Sequence, residues 1–402
     1  MPRLSSFSQK FAKNTTVGAF AAILLLSSSG LSFAIDASEV VERFVAFNNA
    51  QGQKFSYASI EDDNGDSFNL KGVSLTFPEA KPIMVSNIQF NGITENSDGS
   101  LTIGSVVYEN INFANENAVV SMEEVAAKNF TLPSKENPDA VKRMVYFTSL
   151  SGKNLKVVVD GKPAGGMATL SVNYGDIVEG QPIAMTGAAS GISADLASVD
   201  DVKFKEGLTK LGYGTSFTGD IALGGSWNPS DGRMEISKYD IKIDDIGTLS
   251  ILFTLSGYTA DLAQRLQKLS ADAQASSNQQ AASMAIMAEL PKLFFESAKI
   301  SFTDDSITRR VLKMQAATMG GTADDVAKMV PVMLPMALGG LGNPEFTAMV
   351  AGAVGRFVGE PKNITIAAKP AKPLPFSELM GIGMAAPQSL IGTLAVKVTS
   401  NE

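Results

Sequence analysis

The side chains available for chemistry in this chain of 402 residues are carboxylates, hydroxyls, cations and thioethers, because it contains no histidine and no cysteine. That absence removes Ser-His-Asp and Cys-His catalysis, every histidine-ligated metal site and all thiolate chemistry. No Ser-x-x-Lys occurs, so the serine–lysine acylation pattern is missing. No Gly-x-x-x-x-Gly-Lys-Ser/Thr phosphate loop occurs either; Gly152-Lys153 and Gly161-Lys162 read as turns. The string Gly381-Ile-Gly383-Met-Ala-Ala386 matches the dinucleotide fingerprint, but a helical turn precedes it and Pro387 follows, where a strand and a helix are required. The acidic cluster Asp62-Asp63-Asn64-Gly65-Asp66 fails as a calcium loop, since the EF-hand spacing puts Ile60 at its first position. Its Asn-Gly pair between alternating strands predicts a hairpin instead. Carboxylate pairs could still run acid–base chemistry as in glycosidases. Asp63, Asp231, Asp304 and Asp324, however, occupy turn and cap positions.

The remaining feature is apolar. Residues 329–342, MVPVMLPMALGGLG, carry no charge after Lys328, and residues 349–358 add a second apolar helix. Thioether side chains are adaptable and can line binding surfaces. Met329, Val332, Met333, Met336 and Met349 are therefore the candidate wall of a site for lipid or another apolar ligand, held between helices and a sheet. The alternative is that these helices only complete a core, since a half-buried sheet must be covered. Pro331, Pro335 and the glycines in the run argue against a membrane span.

The elements that would position this wall are organised around residues 217–257. Phe217, Ile221, Leu223 and Trp227 share one parity, with small or polar residues on the other, as in a strand with one buried face. After the turn at Asn228-Pro229-Ser230-Asp231-Gly232, Met234 and Ile236 share one parity and Tyr239, Ile241 and Ile243 the other. Such a phase slip marks a bulge. Leu249, Ile251, Phe253 and Leu255 form the third strand. Phe68, Leu70, Val73, Leu75 and Phe77 repeat the slip at an offset of 166, and residues 88–92 match 253–257 at an offset of 165. Before the turn the offset is 160, with Phe44 matching Phe204 and Tyr57 matching Phe217. The expected fold is α+β: an extended, bent antiparallel sheet built from two repeated helix–meander units and covered by C-terminal helices. The units span residues 35–197 and 198–402, with a short helix at Asn137-Pro138, a helix capped by Ser198, and helices capped at Thr322 and Asn343.

The first 34 residues read as a secretory signal: basic Arg3, Lys10 and Lys13, an apolar run from Val17 to Leu26, and cleavage after Ala34 at Ser32-Phe33-Ala34. The mature chain would have no stable transmembrane segment, and would be periplasmic or secreted. Losing those three cations takes the formal charge from −8 to −11, which excludes nucleic acid as a partner. With no cysteine, stability must come from the core rather than from disulfides.

The rhythm Phe68-Asn-Leu-Lys-Gly-Val73-Ser-Leu75 and Met234-Glu-Ile-Ser-Lys-Tyr239-Asp-Ile241 resembles exported bacterial proteins of the AsmA-like and YdgA-like kind. The likeness spans most of residues 38–320. It implies a long bent sheet with an apolar interior, linked to envelope or lipid homeostasis, and offers no catalytic residues. The chain departs from that kind in lacking a retained membrane anchor. Three functional expectations follow: a non-catalytic, cofactor-free binder of lipid or another apolar ligand; a structural protein that binds another envelope protein; and a carboxylate hydrolase.

Overall fold

The structure is a computed structural model that describes residues 36–50, 53–62, 64–77, 81–134, 147–175, 178, 180–197, 201–275 and 279–402. The signal segment, the helix expected at Asn137-Pro138, and Ser198 lie outside the described residues. Sixteen strands form an antiparallel sheet, accompanied by helices that are mostly C-terminal. The α+β expectation therefore holds at this level. The chain divides into two compact units, the first ending at Gly161 and the second beginning at Lys162. The expected division at 197/198 followed the sequence pattern. It falls inside the second unit, between the strand ending at Asp195 and the helix beginning at Val202.

The first unit opens with helix α1 (Ala37–Ala50). The Asp36 side chain accepts from Ser38 N at 2.9 Å, and its carbonyl accepts from Glu39 N at 2.9 Å. The strands are β1 (Lys54–Ser56), β2 (Ser59–Glu61), β3 (Ser67–Thr76), β4 (Ile83–Glu95), β5 (Leu101–Ala114), β6 (Ala118–Leu132) and β7 (Ser149–Val159). From β3 onward they form a simple meander. The acidic cluster is the turn between β2 and β3, where Asn64 N donates to Ser67 O at 3.0 Å and Gly65 has φ 86°. The phase slips of the sequence in this unit are positions skipped on both strands of a ladder, with the register unchanged on either side. One lies at Gly72, with φ 59°, between the pairs Lys71–Asn87 and Val73–Val85. Two more lie in β5, at Gly104 and Asn110. Val40, Val41, Phe44 and Phe47 turn one face of α1 onto the sheet and are buried. The Phe44 ring meets Phe55, Phe90 and Phe130 edge-on, at 5.3, 5.1 and 5.9 Å between centroids. Leu70, Val73, Ile88, Ile103 and Val106 complete a closed core.

The second unit contains β8 (Lys162–Tyr174), β9 (Ile183–Asp195), helix α2 (Val202–Lys210), β10 (Ser216–Trp227), β11 (Met234–Ile243) and β12 (Gly247–Ser256). Helices α3 (Ala260–Ala275) and α4 (Gln279–Glu289) follow, then β13 (Phe294–Asp304). Three further helices, α5 (Ile307–Met319), α6 (Ala323–Leu338) and α7 (Pro344–Gly359), precede β14 (Asn363–Ala368) and the two-residue β15 (Leu374–Pro375). Helix α8 (Phe376–Ala385), the short α9 (Leu390–Thr393) and β16 (Lys397–Ser400) close the chain. The sheet runs β8-β9-β10-β11-β12-β13-β14-β16, antiparallel throughout.

Local chemistry fixes the helix starts. Asp201 caps α2 by accepting from Phe204 N at 3.0 Å. Thr322 and Asp325 form a reciprocal capping box at the start of α6. Asn343 caps α7, with Pro344 at its first position. Helix α6 runs through both Pro331 and Pro335.

Candidate functional site

Directly paired residues in an antiparallel sheet share a face, so the register of the second unit assigns each side chain to one side. Met234 pairs with Leu255 and Ile236 with Phe253, and Ile241 pairs with Leu249 on one side and Ile221 on the other. Leu223 pairs with Tyr239. Outward from β10, Ile221 lies opposite Ala189, which pairs with Leu170. Outward from β12, Ile251 pairs with Ile300 and Leu249 with Phe302, and these continue to Ile366 and Ile364. All of these residues are on one face. Apart from Asp304 at a strand end, where its carboxylate accepts from Thr308 N at 2.8 Å and caps α5, that face carries no charge.

The opposite face carries the charges. Asp220, Glu235, Asp240 and Lys242 occupy the alternate positions of β10 and β11. Lys242 binds Asp244 at 2.7 Å, Arg233 binds Glu235 at 2.8 Å, and the Ser250 hydroxyl donates to Asp240 at 2.6 Å. The Lys242 ammonium and the Thr218 hydroxyl hold the Asp244 carboxyl below its usual range. Glu235, Asp240 and Asp244 thus have cation or hydroxyl partners on the polar face, and Asp220 accepts from Gly191 N at 3.0 Å.

Among the described residues, helices pack on the apolar face at two margins. At one margin Leu262 and Leu266 of α3 pack with Leu290, Leu293 and Phe376 against Met234, Phe253 and Leu255. At the other, Leu312 and Ala316 of α5, Val326 and Ala327 of α6, and Phe357 and Val358 of α7 pack against Phe302 and Ile364. Between the margins, Ile300 is 47% exposed and Ile366 50% exposed. Ile221, Leu223, Tyr239, Ile241 and Ile251 are half-buried. Burial pushes the Tyr174 phenol, near the β8 end of the face, above its ordinary value.

Helix α2 does not cover this face: it has no buried residue, and Phe204 is 43% exposed. Its C-terminal end is tied to α5 instead. Arg310 donates to Gly212 O at 2.7 Å, pairs with Asp245 at 2.5 Å, and stacks over Tyr213 at 4.2 Å.

The structure does not gather the five wall residues read from the sequence onto this face. Met329, Val332, Met333 and Met336 of α6 are all exposed, Met336 at 83%. Only Met349 faces the sheet, where its sulfur accepts from Val398 N of β16 at 3.2 Å. The missed residues are the aliphatic and aromatic side chains of β8 to β14. Their alternation was readable strand by strand, but nothing in the sequence said that helices would leave the middle of the face uncovered.

Among the described residues, no His, Cys, Asp or Glu cluster is placed to hold a metal ion, and no helix is long and apolar enough to cross a membrane. Among curated proteins none matches this chain. A family model described as "Uncharacterized protein" matches residues 240–401, from the bulged strand β11 to the last strand, and so takes in both helical margins of the open face.

Proposed function

We propose that this protein is a non-catalytic, exported envelope protein that binds lipid or another apolar ligand on the open face of its second unit, between sheet and helices. The observation that carries this reading is an uncharged, half-buried sheet face, exposed at Ile300 and Ile366 and bordered by two helical clusters. Apolar patches beyond a few hundred Å² are rare on soluble proteins unless they bind something.

A proposed duplication supports it. At offsets of 166 and 165, the pairs Phe68–Phe90, Asn69–Gln89 and Leu70–Ile88 become Met234–Leu255, Glu235–Thr254 and Ile236–Phe253, all of them observed. In the first strand, Phe55–Leu75 becomes Ile221–Ile241 at 166 rather than the 160 read from sequence. The open face of the second unit then corresponds to the buried face of the first, which α1 closes with Phe44. On this reading α2 has given up the covering role, and the face has become a binding surface. The exported location rests on the N-terminal pattern and cleavage after Ala34.

The deciding experiment is native mass spectrometry of detergent-free protein, with organic extraction of whatever is bound. Co-purifying apolar molecules that are lost in an Ile300→Glu variant support the reading; a bare chain that takes up no apolar probe overturns it. The exposed stripe Met329-Val332-Met333-Met336 favours a second reading, a structural protein whose α6 docks on another envelope protein. Capture of a partner that Met333→Glu abolishes and Ile300→Glu spares would favour that reading.

A further inference from the structure

We infer that the exposed thioethers of α6 are a modification site: a two-electron oxidant, hydrogen peroxide or hypochlorous acid, converts Met329, Met333 and Met336 to sulfoxides and turns an apolar surface polar. This goes beyond the binding reading and does not rest on the open sheet face.

The chain has 17 methionines, one tryptophan and no cysteine. With no thiol to compete, thioethers are its first targets for such oxidants, and access to solvent decides which of them react. Met329, Met333 and Met336 follow one another at i, i+4 and i+7, so they share one side of α6. They are 41%, 57% and 83% exposed. The helix is held by other side chains, because Val326, Ala327 and Val330 pack with Leu312 and Ala316 of α5 and Phe357 of α7. Trp227 is partly buried, and its indole donates to Tyr258 O at 2.7 Å.

The step is an oxygen transfer. The sulfur attacks one peroxide oxygen, the O–O bond breaks, and the departing hydroxide takes the proton of the transferred oxygen and leaves as water. Sulfur loses two electrons and the peroxide gains them. A sulfoxide is polar, but on this side of α6 it stays in water, so no unpaired polar group is buried. Met349 differs, since it is half-buried and its sulfur accepts from Val398 N at 3.2 Å. The chain has no thiol of its own, so return to the thioether takes an external dithiol, which leaves as disulfide and water.

The stripe and its internal control share one tryptic peptide, residues 329–356, which follows Lys328, ends at Arg356 and contains Met329, Met333, Met336 and Met349. The test is to treat the folded full chain with peroxide, quench, digest and locate the added oxygens by fragmentation. The peptide should gain three oxygens, about 48 Da, with Met336 first and Met349 at least about tenfold slower. The urea transition read by Trp227 should not move. In hydrophobic-interaction chromatography the oxidised protein should elute earlier, and the triple variant Met329→Leu, Met333→Leu, Met336→Leu should lose most of that change. Oxidation of Met349 as fast as Met336 overturns the inference, because exposure on α6 would then not select the site. A urea transition that falls as the stripe reacts also overturns it, as does an equal elution change in the triple variant.

Discussion

The contrast between a closed face and an open one can be tested with a matched pair of truncations, Phe44→Ala in α1 and Phe204→Ala in α2. Phe44 is 0% exposed and its ring meets three others within 6 Å. Its removal leaves a cavity among Phe55, Phe90 and Phe130, because helix and sheet cannot both collapse onto the vacated volume. Phenylalanine truncations of this kind cost about 3–5 kcal/mol. Phe204 is 43% exposed and α2 buries no residue. Full burial of such a ring is worth about 1.5–3 kcal/mol, so its truncation should cost about 1 kcal/mol or less. Hydrogen exchange of the β3–β6 amides reads the first unit. Trp227, the single tryptophan, reads the second through its fluorescence in urea. Phe44→Ala should weaken protection in the first unit by two or more orders of magnitude, and Phe204→Ala should barely move the tryptophan transition. If Phe44→Ala cost under about 1.5 kcal/mol, or Phe204→Ala cost as much as Phe44→Ala, the reasoning would be refuted.

Further expectations concern stability. The hydroxyl of Tyr108 is fully buried and has no hydrogen-bond partner among the described residues, so Tyr108→Phe should raise stability by about 1 kcal/mol in urea unfolding. Burial also pushes this phenol far above its ordinary value, so its contribution is complete below the unfolded pKa of about 10 and is lost as pH rises beyond it. Tyr108→Phe should therefore flatten the alkaline limb of the stability curve. Thr322→Ala removes the α6 cap and should cost about 1 kcal/mol in thermal unfolding. The Thr322 hydroxyl and backbone hold the Asp325 carboxyl below its usual range, so that contribution is present at neutral pH and fades as pH falls below the ordinary carboxylate range of about 4. Asp325→Asn should weaken the acid dependence. Gly232 has φ 73°, and a Cβ there would meet Tyr258 N at 2.5 Å, so Gly232→Ala should cost at least about 2 kcal/mol by urea unfolding.

Much of the second sheet was legible because strand pattern and turn chemistry agree there. Asn228 to Gly232 and Asp245 to Gly247 punctuate three alternating runs; the phase slip at Ile236/Tyr239 is a break in register, and the one at Leu70/Val73 is a skipped pair at Gly72. The cap at Thr322 was equally local. Orientation was not local. In α6 nearly every position after Lys328 is apolar, so no stripe distinguishes the side that meets Phe302 and Ile364 from the side left in water. Pro331 and Pro335 looked like breaks, yet the helix continues through them. The first-strand offset of 160 came from matching Tyr57 to Phe217. Tyr57 falls between β1 and β2, outside any strand, so side-chain likeness was the only guide to that match. The candidate site was hardest to foresee, because it depends on where helices stop covering a sheet.

The sealing of β16 has a consequence beyond the fold. An antiparallel sheet this long is a template for its own extension, because a bare edge strand offers donors and acceptors to any extended segment. Here Val398 N is engaged by Met349, and the Ser400 hydroxyl donates to Ala353 O at 2.7 Å, both partners lying on α7. Without those last residues the edge would become β14, Asn363-Ile-Thr-Ile-Ala-Ala368, short, uncharged and β-branched. The helix that seals β16 thus guards the chain against polymerisation, and a shortened C-terminus would be expected first as fibrils or inclusion bodies.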